Sequence, residues 1–228
     1  MNYYKEVLGD QAGWSQAMLS LQDLFQTHGA EAQEKAKEIS KRYEGARALS
    51  VIDVVASRQR QYISRVIPMV DKYRNSREDH GLNQLRTKSP TDILQLRTSQ
   101  DEGEVMQRVA TGLLEFGEKY GLESDDLICE QWAKWVEPVV FAPKLDPYVG
   151  SIKGIGPALF AYLRILCGAD TLKPDVQTIK MFKKLGFNVP EGDRITTINA
   201  LLLTAKAAAE ELGTSMVVID QLLWWATQ

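Results

Sequence analysis

The chain has few of the residues that cross-link a protein or hold a metal, since only 2 Cys and 2 His stand among its 228 residues. Cys129 and Cys167 lie far apart in the sequence, and neither they nor His28 and His80 fall at the spacing of metal ligands. A disulfide scaffold is therefore excluded, and we expect no structural zinc or iron-sulfur site. No apolar run reaches the roughly 18 to 20 residues that a membrane span needs.

The N-terminal segment lacks the basic-then-apolar order of a signal peptide. With 44% hydrophobic and 25% charged residues, the chain has the composition of a soluble globular protein. A chain of this length buries about 70% of the surface that its unfolded form exposes, so it needs no metal or disulfide to fold. We expect an intracellular, cytoplasmic monomer, associated with the nucleoid if the source is bacterial.

The net charge of -3 hides an uneven distribution along the chain. Residues 41–97 carry twelve Lys or Arg against six Asp or Glu, whereas residues 98–149 carry four against eleven. Phosphate binding depends on Lys and Arg. The first segment is therefore suited to a polyanion, although a charge run of this kind is more often a solvated helix face.

Apolar residues recur with helical period along most of the chain, and no segment alternates with the period of a strand. The pattern predicts an all-α protein. Pro68 is expected to kink or end the helix predicted from Leu49 to Tyr73, and a short helix is predicted from Ser89 to Leu96. Gly121 and Gly213 are expected to end two later helices.

A glycine-rich segment lies at residues 152–161. Gly154 and Gly156 are separated by one apolar residue, so the backbone can turn tightly, and Pro157 is suited to the first position of the next helix. Backbone amides at a helix N-terminus can hold a phosphate without reading any base. The alternative is an ordinary corner in which the glycines only permit close packing.

A second feature follows nineteen residues after Gly156, where Asp175 precedes a helix with Lys180 on its outer face. Pro174 favours an extended conformation for Lys173. Asp in this position is most often a helix N-cap, so the residue alone does not indicate catalysis.

The two features together resemble the helix-hairpin-helix DNA glycosylases, the superfamily of endonuclease III and the helical 3-methyladenine glycosylases. Residues 54–61 are similar to the early helix of that family, which ends in an apolar-x-Ser-x-Gln turn, and residues 89–96 are similar to its next short helix. The resemblance covers residues 48–190. It implies a two-lobed helical fold with a helix-hairpin-helix motif, in which residues 45–168 form one lobe, residues 1–44 and 169–228 form the other, and the DNA cleft runs between them.

The resemblance also implies roles for the residues of the early turn and the hairpin. The amides of Gly154 and Gly156 would bind a DNA phosphate, with Lys153 beside them and a monovalent cation as an optional companion. Gln59 would fill the space that a flipped nucleotide leaves in the duplex. Arg58 and Arg60 would hold nearby phosphates.

Asp175 would be the catalytic carboxylate, because departure of the base builds positive charge on the sugar and a fixed anion stabilises that charge. Lys173 and Lys180 are candidate phosphate contacts. Tyr148 and Trp132 are candidate stacking partners of a flipped base, although aromatic residues at helical spacing are more often core.

Members of the family that also cut the strand carry a lysine two residues after the second hairpin glycine, where this chain has Ala158. The resemblance therefore implies a monofunctional DNA N-glycosylase of base excision repair that acts on double-stranded DNA without a metal or other cofactor. Two alternatives remain open: a catalytically inactive DNA-binding protein that keeps the hairpin, and a helical protein-interaction module.

Overall fold

The computed structural model describes residue 6 and residues 8–94, 99–135, 142–190 and 194–226. Within these ranges the chain is helical and contains no strand, which confirms the all-α class. The chain divides into two compact units, of which one runs from Ser40 to Ala169 and the other combines the residues before Ser40 with those after Ala169. None of the described helices is long and apolar enough to span a membrane.

Helices account for nearly all the regular structure of the described ranges. In chain order they are α1 (Trp14–Ile39), α2 (Arg47–Ala56), α3 (Ile67–Ser76), α4 (Leu82–Thr87), α5 (Ser99–Tyr120), α6 (Asp125–Trp135), α7 (Ala142–Leu145), α8 (Pro157–Leu166), α9 (Val176–Leu185), α10 (Arg194–Leu212) and α11 (Met216–Trp225). A single π-helical turn, Tyr62–Val66, leads directly into α3.

In the unit from Ser40 to Ala169, α2 is the central helix, and every one of its residues is buried. It packs against α3, α5 and α8. A helix that is apolar all round is typical of a core position, and burial on every side explains why the apolar run from Val51 to Val55 tolerates only one charged residue, Asp53. The candidate site residues 57–61 directly follow the end of α2.

The other unit is built from α1, α9, α10 and α11. The long helix α1 packs mainly against α11 and also against α9. Buried apolar side chains from all four helices form one core that includes Leu21, Phe182, Leu201 and Leu222. This core fixes the segment before α9, where Asp175 lies.

Glycine ends several helices as the sequence predicts. Gly121 and Gly213 follow α5 and α10 with φ angles of 66° and 65°, the left-handed conformation that glycine adopts without steric cost. Both predicted helix ends are confirmed.

Two helix predictions need correction. The helix predicted from Leu49 to Tyr73 is interrupted after Ala56 rather than at Pro68, which lies in the first turn of α3, where its missing N-H has no intrahelical partner. In the described part of the helix predicted from Ser89 to Leu96, residues 89–94 form a single turn, in which the N-H groups of Ile93 and Leu94 both donate to Pro90 O. Residues 95–98 lie outside the described residues.

Candidate nucleic-acid interface and catalytic carboxylate

The turn at residues 57–61 contains the most unusual backbone conformation in the described chain. Gln59 has a φ angle of 55° and is the one described residue other than glycine with a positive φ. The left-handed conformation costs an L-residue roughly 1 to 2 kcal/mol. The side chains of Arg58 and Gln59 are both exposed, so the strain does not serve to bury them. Strained residues of this kind cluster at functional sites.

Hydrogen bonds on both sides of Gln59 hold this turn. Ser57 Oγ donates to Val54 O at 2.7 Å. Arg60 donates to Ala56 O and, through its two terminal nitrogens, to both carboxylate oxygens of Glu102 at 3.0 and 2.8 Å. The side chains of Arg60 and Glu102 are only 9% and 7% exposed. The surrounding structure therefore forces the conformation of Gln59.

That Arg60 contacts a DNA phosphate stays a prediction, and the structure gives it no support. Its guanidinium is buried and bound to Glu102 on α5. A buried, bidentate pair of this kind is costly to break, so Arg60 fixes the turn instead of facing a ligand. The exposed arginine of the turn is Arg58.

A buried polar cluster anchors the chain just after the turn. Asp53 of α2 has a fully buried side chain. One of its oxygens accepts hydrogen bonds from Tyr43 Oη at 2.6 Å and Tyr62 Oη at 2.8 Å, and the other accepts one from Tyr162 Oη at 3.1 Å. Arg42 Nη1 donates to Tyr62 Oη at 2.7 Å. The cluster thus fixes Tyr62, three residues after Gln59.

The protonation states of this cluster follow from its burial. Desolvation raises the pKa of Asp53, although the hydrogen bonds from the tyrosines act in the opposite direction. Burial and the neighbouring Asp53 raise the pKa of Tyr62 to about 12 and place that of Tyr43 higher still. The hydroxyls therefore stay protonated at neutral pH and serve as donors to Asp53.

The glycine hairpin is pinned to the core of the same unit. Ile152 and Ile155 are buried at 6% and 7% exposure. Gly154 has a φ angle of 106°, and a Cβ built on it would lie 2.9 Å from Val105 Cγ2 and 4.0 Å from Arg58 Nη1. The structure therefore places Arg58 beside the hairpin, although the two are almost a hundred residues apart in sequence.

Gly156 is the N-cap of α8, with an extended backbone, and Pro157 occupies the first helical turn. Gly156 has no side chain with which to cap the first turn, and Ala158 and Leu159 are partly exposed. Lys153 is exposed at the tip of the hairpin. The elements expected at a phosphate seat, amides at a helix start with cations nearby, are therefore present.

The segment before the hairpin is a series of turns rather than a helix, so the predicted helix-hairpin-helix motif is not confirmed. Asp146 organises these turns by accepting hydrogen bonds from the N-H groups of Tyr148, Val149 and Gly150. It also accepts one from Trp132 Nε1 at 3.1 Å. Turns therefore lie where the helix-hairpin-helix motif would have its first helix.

The two candidate stacking residues have different surroundings. Trp132 is 1% exposed and packs edge-on against Phe160 in the core, so the structure does not support the prediction that it stacks on a base. Tyr148 is partly exposed and contacts the rings of Phe116 and Trp135 at centroid distances of 5.4 and 5.8 Å. Its candidacy stays a prediction.

Asp175 lies in the other unit and caps α9. Its Oδ1 accepts hydrogen bonds from Thr178 N at 2.9 Å and Thr178 Oγ1 at 3.1 Å. Its Oδ2 lies 3.7 Å from Lys173 Nζ, and the Asp175 side chain is 33% exposed. The carboxylate is thus fixed at a helix start, where the helix dipole favours negative charge, and it remains open to solvent. Lys180 is exposed on the same helix.

Several residues in these clusters could not be identified from the sequence pattern. Glu102 and Asp220 lie in ordinary amphipathic helices, and only the fold brings them to Arg60 and Lys173. Asp53 is the exception, because a single carboxylate inside the apolar run Val51–Val55 of α2 indicates a buried polar cluster. Among the described residues no group of His, Cys, Asp or Glu is arranged to hold a metal ion.

Comparison with known proteins adds no information to these geometric observations. No family model, no curated protein and no solved structure matches the chain.

Proposed function

We propose that the chain is a monofunctional DNA N-glycosylase, which flips a damaged or modified base from duplex DNA and hydrolyses its N-glycosidic bond with Asp175. The observation that carries the proposal is the strained and exposed Gln59, held in a rigid turn with Arg58 beside the glycine hairpin. The two compact units would then correspond to the two lobes expected from the family resemblance.

In this proposal the DNA backbone is bound through its phosphates. Arg58 and Lys153 supply exposed positive charge, and the N-terminal amides of α8 supply uncharged donors. These contacts carry no sequence information. Such binding suits an enzyme that finds a lesion within any sequence.

Gln59 would enter the duplex where a nucleotide leaves the stack. Flipping costs a few kcal/mol, and a side chain that occupies the vacated space stabilises the open state. A wedge acts only if it is rigid, and the contacts of Ser57, Arg60 and Tyr62 supply that rigidity.

Asp175 would stabilise the positive charge that develops on the sugar as the base departs and would orient the attacking water. Thr178 fixes one carboxylate oxygen from the side of the helix. The other oxygen makes the longer contact to Lys173, and this oxygen would be the atom available to the reacting sugar. With Ala158 at the position of the lyase lysine, no Schiff base would form and the strand would stay intact.

One observation favours a second candidate, a DNA-binding protein without catalysis. Every hydrogen bond that Asp175 accepts from Thr178 is also made by an ordinary N-cap aspartate. In that case the interface around Gln59 and the hairpin would bind DNA, and Asp175 would only stabilise α9.

The deciding experiment measures base release from duplex oligonucleotides that carry alkylated, oxidised, deaminated or mismatched bases, detected as alkali-labile sites. Asp175→Asn is the matched variant, because Asn caps a helix as well as Asp does and the fold is retained. We expect release by the wild type and none by Asp175→Asn, with DNA affinity unchanged or higher. Salt-sensitive binding without release from any substrate would establish the second candidate, and the absence of both would overturn the proposal.

A further inference from the structure

A continuous chain of hydrogen bonds leads from α11 to the first turn of α9. Asp220 Oδ1, on α11, accepts a hydrogen bond from Lys173 N at 2.8 Å. Asp175 N donates to Lys173 O at 2.9 Å, and Asp175 Oδ1 in turn accepts from Thr178 N. The position of the Asp175 carboxylate therefore depends on a carboxylate 45 residues later in the chain.

The segment between these anchors has little freedom of its own. Leu172 is fully buried, and Pro174 is also buried. The proline ring fixes the φ angle of residue 174, which lies between Lys173 and Asp175. Once the N-H of Lys173 is held, Asp175 has few alternative positions. Asp220 thus holds the segment at the residue two before Asp175.

The same two carboxylates both contact Lys173, one through its side chain and the other through its main chain. Lys173 Nζ lies 3.7 Å from Asp175 Oδ2, while the main chain of Lys173 binds Asp220. Burial raises the pKa of Asp220 to about 6, and the charge of Asp175 adds to that shift, whereas the hydrogen bond from Lys173 opposes it. Asp220 Oδ2 accepts a further hydrogen bond from Gln221 Nε2 at 3.1 Å.

We propose that Asp220 is a positioning residue for Asp175, which it holds in place through the backbone of Lys173. The inference rests on the proposed function for its catalytic consequence. Its structural consequence, the order of the segment from Lys173 to Thr178, does not depend on that function.

Three variants separate the parts of the proposal. Asp220→Ala removes the acceptor, whereas Asp220→Asn keeps a carbonyl oxygen that accepts from Lys173 N. Asp170→Asn is the matched control, because Asp170 also accepts a hydrogen bond from a backbone N-H, that of Val217 at 3.0 Å, whereas the N-H of Lys173 donates to Asp220.

The first measurement is amide hydrogen exchange by NMR on the full chain. In Asp220→Ala we expect the amides of Lys173 and Thr178 to exchange roughly tenfold to a hundredfold faster, which corresponds to losing a hydrogen bond to a charged group. Asp220→Asn and Asp170→Asn are expected to leave Thr178 protected. Unchanged protection of Thr178 in Asp220→Ala would overturn the proposal, whether or not the chain releases bases.

The second measurement is single-turnover base release with the substrate that the wild type accepts. We expect Asp220→Ala to lower the rate at least tenfold with little change in the dissociation constant for DNA, and Asp220→Asn to restore most of the rate. Equal rates in the wild type and Asp220→Ala would refute the positioning role. If the wild type releases no base, the glycosylase proposal fails while the exchange result still decides the role of Asp220.

Discussion

Replacement of Gln59 by Gly and by Ala separates the wedge side chain from the strain of its backbone. Both variants remove the side chain, but only Gly relieves the cost of the 55° φ angle. Relief of a left-handed L-residue is worth about 1 to 2 kcal/mol, and the greater freedom of Gly in the unfolded chain offsets about 0.5 to 1 kcal/mol of it. We therefore expect Gln59→Gly to be up to about 1.5 kcal/mol more stable than Gln59→Ala.

The stability comparison is made by urea unfolding followed by circular dichroism, and function is measured by base release and by flipping of a fluorescent base analogue. Gln59→Ala should lower release roughly tenfold, because the flipped state loses its wedge. Gln59→Gly should lower it further, since the turn loses its rigidity. The interpretation of the turn is refuted if Gln59→Gly is less stable than Gln59→Ala by more than 1 kcal/mol, or if both variants release bases at the wild-type rate.

Three further predictions concern the remaining residues. Arg58→Gln should reduce the slope of log affinity against log salt concentration by about one, as measured by DNA titration. Arg60→Gln should leave that slope unchanged and lower the free energy of unfolding, measured in urea, by about 3 kcal/mol or more. Gly154→Ala should destabilise the protein by about 1 to 2 kcal/mol, because the φ angle of Gly154 is 106°. Gly156→Ala should fold normally and weaken DNA binding, because the φ angle of Gly156 is -92°. Equal stability of the two variants would contradict this prediction. Burial raises the pKa of Asp220 to about 6, so the folded protein keeps a proton that the unfolded chain releases near pH 4. The free energy of unfolding should therefore fall by up to about 3 kcal/mol as the pH rises from 4 to above 6. Asp220→Asn should remove this part of the pH dependence.

The local features of the fold were predictable because they depend on neighbouring residues. Gly121 and Gly213 end helices as expected, and Asp175 caps α9 as its sequence position indicates. The prediction that Pro68 kinks or ends a helix is wrong, because a proline is also suited to the first turn of a helix. The true interruption, at residues 57–61, contains neither proline nor glycine, and the contacts that hold it include the tertiary pair of Arg60 and Glu102.

The partners within the candidate site were not predictable, since they depend on contacts between distant segments. Arg60 resembled Arg58 in sequence, and only the approach of α5 shows that one is buried against Glu102 and the other exposed. The cysteines give a similar example. A hydrogen bond with Cys167, together with burial, raises the pKa of Cys129, so the two thiols are neighbours although their sequence spacing gave no reason to pair them.

The buried pair of Arg60 and Glu102 has an evolutionary consequence. Loss of either residue leaves an unpaired charge inside the unit, whereas joint replacement by two apolar residues of similar volume is often neutral or even stabilising. The two positions are therefore expected to vary together among descendants of this chain, while Arg58 and Gln59 vary under the separate demands of the ligand. Covariation of these two positions would therefore indicate that a residue of α5 stabilises the turn.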